Sequence, residues 1–163
     1  MKILRISLLM FIQVIAFFAH SQQNESSKNS SDIEHKAWLK NKFGEQHQRL
    51  IPIVAVADML FSCNKARQIE PVNYNLKDLI LNMDKNRLAE KLLHCLNEDS
   101  LQSEAAINYG LLGCFHEQLA HLPEVERQQK MALVKKAISS LSFDERKKSF
   151  TQCVSAQAIH YLQ

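Results

Sequence analysis

Glycine and proline are scarce in this chain, three of each in 163 residues, and aromatic residues make up only 7% of it. An all-β sandwich or barrel needs a turn-forming residue about every ten positions, so this shortage argues against one. It also removes phosphate-cradling loops. Neither G-x-G-x-x-G nor G-x-x-x-x-G-K-S/T occurs, which sets aside the nucleotide enzymes built on them. There is no G-x-S-x-G elbow, and Ser62, Ser103, Ser139 and Ser140 have no base at a recognisable spacing. No C-x-x-C pair is present, and no apolar run reaches the roughly twenty residues of a membrane-spanning helix. What remains, with 46% hydrophobic residues and few breakers, is a helical chain.

The first segment is read as an address. Lys2 and Arg5 precede an apolar run from Ile6 to Ala19, and Ala19 and Ser21 supply the small residues of a cleavage site before Gln22. Residues 1–21 therefore read as a signal peptide, with the mature protein secreted or periplasmic. The first cysteine is Cys63, so no lipid attachment follows the apolar run. Removing Lys2 and Arg5 leaves 18 basic residues against 17 acidic ones. A net charge near +1 gives no basic excess for nucleic acid, which is not expected as a partner.

Cys63, Cys95, Cys114 and Cys153 form an even set in a chain directed to an oxidising compartment, and two disulfides are the economical reading. Three connectivities are possible. In a helical hairpin Cys95 lies near the end of one helix and Cys114 well along the next, about 20 Å apart at 1.5 Å per residue. That is beyond a disulfide's reach, so a Cys95–Cys114 bond is disfavoured, and the other two pairings stay open.

Residues 22–34 are polar and serine-rich and read as a flexible tail, and residues 35–163 as a single helical domain. A helix is expected over 35–47, and Pro52 suits the first turn of a second, in which Ile53, Val56, Leu60 and Cys63 face inward. Asn75 and Asp84 are candidate caps for the next segments, the second carrying Leu88, Leu92, Cys95 and Leu96. The longest periodic stripe, Leu101, Ala105, Asn108, Leu112, Phe115, Leu119 and Leu122, places a long helix from Asp99 or Ser100, with Gly110 and Gly113 allowing a neighbour to come close. A further helix after Pro123 carries Met131, Val134, Ile138 and Leu141. Ser142-Phe143-Asp144-Glu145 is a capping box for the last. The expected fold is all-α: a compact antiparallel bundle of five to six helices stapled by two disulfides.

No catalytic constellation emerges, so no enzyme, metal or cofactor is expected. His116-Glu117-Gln118-Leu119-Ala120-His121 has one residue too many for H-E-x-x-H, and positions i and i+5 point about 140° apart on a helix. A rigid framework without chemistry suggests a non-enzymatic binding protein that engages a protein partner, such as a secreted effector or a periplasmic inhibitor or immunity-type protein. Trp38 and Phe43 are the candidate contact residues. The alternative is a binder of anionic lipid head groups at a membrane surface, or of a small apolar ligand. Its candidates are Arg127, Lys130, Lys135, Lys136, Arg146, Lys147 and Lys148, which antiparallel packing would gather toward one end. Lys147 falls on the stripe of Phe143, Phe150 and Val154, where it has to snorkel outward or meet an acid.

Overall fold

Short polar side chains set where the helices begin. In the computed structural model, which describes residues 23–69 and 74–162, Asn75 accepts the Asp78 amide at 2.8 Å and opens Leu76–Leu81. Asp84 accepts the Asn86 and Arg87 amides at 3.0 and 3.1 Å and opens Lys85–Leu96. Ser103 caps Glu104–Gln118 through the Ala106 amide at 3.1 Å. Ser142 caps Phe143–His160 with the reciprocal box: its hydroxyl accepts the Glu145 amide at 3.4 Å, and the Glu145 carboxylate takes the Ser142 amide at 2.8 Å. With Gln23–Arg67 and Glu124–Ser140 these are six helices among the described residues, named α1 (Gln23–Arg67), α2 (Leu76–Leu81), α3 (Lys85–Leu96), α4 (Glu104–Gln118), α5 (Glu124–Ser140) and α6 (Phe143–His160). Ser142→Ala removes a helix cap and is expected to cost about 1 kcal/mol, a fall of about 3 °C in the calorimetric Tm for a domain of this size.

By its contacts the chain divides into residues 1–44 and 45–163. The core lies in the second unit. It joins Val54, Ala57 and Leu60 of α1 to Leu76 and Leu79 of α2, Leu88, Leu92 and Leu96 of α3, Ile107 and Leu111 of α4, and Phe150, Val154 and Ala158 of α6. Two disulfides staple it: Cys63–Cys95 ties α1 to α3 and Cys114–Cys153 ties α4 to α6, each with Cα atoms 6.2 Å apart. Arg67, the last residue of α1, reinforces the first staple. Its Nη1 donates to the Cys95 and Leu96 carbonyls at 2.7 and 3.0 Å, and its Nη2 to Asp99 Oδ2 at 2.9 Å. The C-terminal carbonyls of α3 thus receive a cation where the helix dipole favours one.

Two glycines permit the closest approaches. A Cβ at Gly113 would meet the backbone of Asp58, its Cα 2.7 Å away, and one at Gly110 would run into the Phe150 ring. α4 therefore lies against α1 at one glycine and against α6 at the other.

Three expectations are corrected. Pro52 does not start a helix but sits inside α1, which runs unbroken through the expected 47–52 link. The proline lacks the amide that would bond the Gln48 carbonyl, and it lies on the exposed side, where water can serve that carbonyl. The same helix begins at Gln23, within the stretch read as a tail. On α4 the long stripe is the half-buried side: Leu101 is 44% exposed, Leu119 and Leu122 follow the helix, and the buried face carries Ala106, Ile107, Gly110, Leu111, Gly113 and Cys114. The signal-peptide segment 1–21 and the Glu70–Pro71 boundary lie outside the described residues.

Candidate functional site

A concavity follows from the thin inward stripe of α5. Only Ile138 of that helix is buried, while Val125 and Leu133 are 70% and 64% exposed. With so little to seat it, α5 leaves a groove against the end of α1 and the middle of α4. The groove has a volume of about 550 Å³. Phe61 and Ala66 of α1, Leu112 of α4, and Met131 and Ala132 of α5 form its apolar lining, and Lys65, Arg127 and Lys135 stand around it.

Aromatic contacts hold the α1 wall in shape. The His116 imidazole stacks on the Phe61 ring with centroids 4.8 Å apart, and Lys65 Nζ lies 5.8 Å from the same ring centroid. Burial lowers the pKa of His116, and the nearby Lys65 and Arg127 cations lower it further, so the neutral imidazole is favoured. Arg127 pairs with Glu124 one turn back on α5, and Gln128 Nε2 donates to the other Glu124 oxygen at 2.8 Å. Lys65 and Lys135 have no acidic partner among the described residues. Ser62, His116 and Gln128 are the neutral hydrogen-bonding side chains of the lining, and the Glu124 carboxylate belongs to it as well. Such a surface can hold an apolar body and an anionic end, and among the described residues no hydrogen bond pairs a nucleophile with a base on it.

One turn before Ser62 on α1, Asp58 is fully buried. Gln157 of α6 donates Nε2–H to Asp58 Oδ1 at 3.1 Å, while Asp58 Oδ2 and Gln157 Oε1 have no hydrogen-bond partner among the described residues. Burial holds the carboxyl well above the usual range. The Gln157 bond acts in the opposite direction, and the Glu117 carboxylate adds to the rise. A proton on Oδ2 turns an acceptor that lacks a donor into a donor, in a pair whose other unserved atom is an acceptor. Tyr161 donates to Glu117 Oε1 at 2.8 Å in the same polar cluster.

A pKa raised in the folded state makes stability greatest below the unfolded value and removes it as pH rises through the folded one. Asp58→Asn is isosteric with the neutral acid and does not titrate. The difference in unfolding free energy between variant and wild type is therefore expected to grow in the variant's favour by about 1.4 kcal/mol per pH unit between those two values. Denaturation series over pH 4–9 measure it, and parallel curves would refute the assignment. His116, whose lowered pKa gives the opposite slope below its ordinary value, is common to both proteins and cancels.

The structure separates the seven basic candidates. Arg127 and Lys135 reach the groove. Arg146 is largely covered, its Nη2 2.9 Å from Glu104 Oε2 on α4. Lys147 does both things its position allows: it pairs with Asp144 at 2.7 Å and lies 4.6 Å from the Phe143 ring centroid. Lys130, Lys136 and Lys148 are exposed. Trp38, 51% exposed, belongs to the first unit, and the Phe43 side chain lies outside the described residues. All four cysteines are consumed in disulfides, so none can serve as a thiolate. Among the described residues no group of three or more His, Cys, Asp or Glu could hold a metal ion, and no helix is long and apolar enough to cross a membrane.

Sequence reasoning missed Phe61, Lys65 and His116 as one surface, and Asp58 altogether. Asp58 had a signal, as the lone charge in the run Ile53 to Phe61. The groove had none, because it arises from helices distant in sequence. Comparison with protein-family models, curated proteins and solved structures finds no match to the chain.

Proposed function

We propose that the protein is an exported, non-enzymatic binding protein, a disulfide-stapled helical scaffold that presents the groove between α1, α4 and α5 to a ligand. The observation that carries this reading is the groove itself: an apolar lining of Phe61, Leu112 and Met131 beside three cations and one carboxylate, Glu124. Concave, mostly apolar sites with a few placed polar groups are the usual form of ligand pockets. Export is supported by the signal-peptide pattern and by two disulfides, which persist in oxidising compartments.

Native mass spectrometry of the exported, non-reduced protein tests it. The expected mass begins at Gln22, is lower by about four units for two disulfides, and carries an additional component released on denaturation. Ala132→Trp places a large side chain in the groove from an exposed helix position and is expected to abolish that component. A component retained by this variant, or none in the wild type, refutes the groove as the working surface. A reading in which Trp38 docks a protein partner has that side chain's half exposure in its favour. It gains support if a captured protein partner survives Ala132→Trp and is lost on Trp38→Ala.

A further inference from the structure

We propose that the groove takes a single-chain aliphatic anion, in its simplest form a long-chain fatty acid, with the chain on Phe61, Leu112 and Met131 and the head group between Lys65, Arg127 and Lys135. This deepens the reading of the protein as a ligand-binding scaffold and rests on it.

Size, charge and hydrogen-bonding capacity converge on this class. The volume of about 550 Å³ lies within the range of small-molecule sites, about 300–1,000 Å³. An extended peptide would bring an amide and a carbonyl at each residue onto a lining whose neutral hydrogen-bonding side chains are Ser62, His116 and Gln128, the last already donating to Glu124, and most of its backbone groups would lose water without replacement. An alkyl chain brings none. Lys65 and Lys135 have no acidic partner among the described residues, and Arg127 spends part of its charge on Glu124. An arriving carboxylate therefore gains two cations that form no ion pair among the described residues, while the Glu124 carboxylate of the same lining is held by Arg127 and Gln128. The neutral imidazole favoured at His116 leaves a ring nitrogen able to donate to the same head group.

The test is isothermal titration calorimetry of delipidated, oxidised protein with octanoate, decanoate and dodecanoate below their micelle concentrations, alongside dodecanol. Affinity is expected to rise about three- to fourfold per added methylene, the factor equivalent to 0.8 kcal/mol, until the groove is filled. Dodecanol is expected to bind at least tenfold more weakly than dodecanoate. Lys65→Gln with Lys135→Gln removes that preference while lowering Tm by no more than about 3 °C, the loss of one exposed cation–π contact, and Ala132→Trp abolishes binding of the acids. Equal affinity for alcohol and acid, or an unaltered preference in the lysine variant, overturns the proposal. So does binding to phosphatidylglycerol vesicles that Ala132→Trp leaves intact when no fatty acid binds, because the exposed Lys136 and Lys148 would then be the contact. If no acid binds but Ala132→Trp still removes the component carried by the exported protein, the ligand class is wrong while the groove stands. If neither changes, the groove reading falls as well.

Discussion

Cys63→Ala with Cys95→Ala is expected to lower the free energy of unfolding by about 4 kcal/mol, and Cys114→Ala with Cys153→Ala by the same amount. The bonded residues are 32 and 39 positions apart, and closing loops of that length removes about this much chain entropy from the unfolded state. Domains of this size hold about 5–15 kcal/mol in total, so either loss is severe and the quadruple variant is expected to be largely unfolded at room temperature. All four cysteines are buried, Cys63 and Cys114 completely, and reductant should act on the native protein only through its opening. Guanidinium titrations of the oxidised protein and the two double variants check this. Each variant should show a lower midpoint and a steeper slope, since an uncrosslinked chain exposes more surface on unfolding. An unchanged midpoint in either variant would refute that bond's contribution.

Gly113→Ala is expected to cost about 3 kcal/mol even though alanine is intrinsically the better helix former by about 1 kcal/mol. The added methyl meets the Asp58 backbone, which no rotamer change can move, so α1 and α4 have to separate. The other two glycines are internal controls. Gly44 has open space around its Cβ position, and Gly44→Ala should be neutral or stabilising by up to about 1 kcal/mol. At Gly110 the obstacle is the Phe150 ring, so Gly110→Ala should recover part of its loss when combined with Phe150→Leu. Equal stability of the Gly113→Ala and Gly44→Ala proteins would show that the helices have slack at this contact.

Much of the fold was legible because its signals are local. Asn75, Asp84 and Ser142 cap the helices they were expected to cap, through bonds spanning two or three residues. The exclusion of a Cys95–Cys114 bond needed only the length of a helix. The errors have a shared physical cause. α4 carries apolar residues on nearly every side, so a periodic stripe can be drawn along the wrong face, and the small residues that mark the tightest contact score poorly as hydrophobic. Pro52 misled in the other direction. A local rule about helix starts was overridden by the burial of Val54, Ala57 and Leu60 along a helix that continues past it. The groove could not be read at all, since Lys65, His116 and Lys135 meet only once α1, α4 and α5 are assembled.

The order of the two disulfides along the chain has a consequence for the groove. One ring closes entirely within residues 63–95 and the other within 114–153, neither enclosing the other. The bridges thus lock two lobes separately: the chain between Cys95 and Cys114 joins them covalently, and one shared core packs them together, with Gly113 against Asp58 and Gln157 bonded to the same residue. The α1 wall belongs to one lobe and the α4 and α5 walls to the other. The mouth can widen without stretching a sulfur bridge, and a single nick near Ser100 would let the lobes part in denaturant with both bridges still intact.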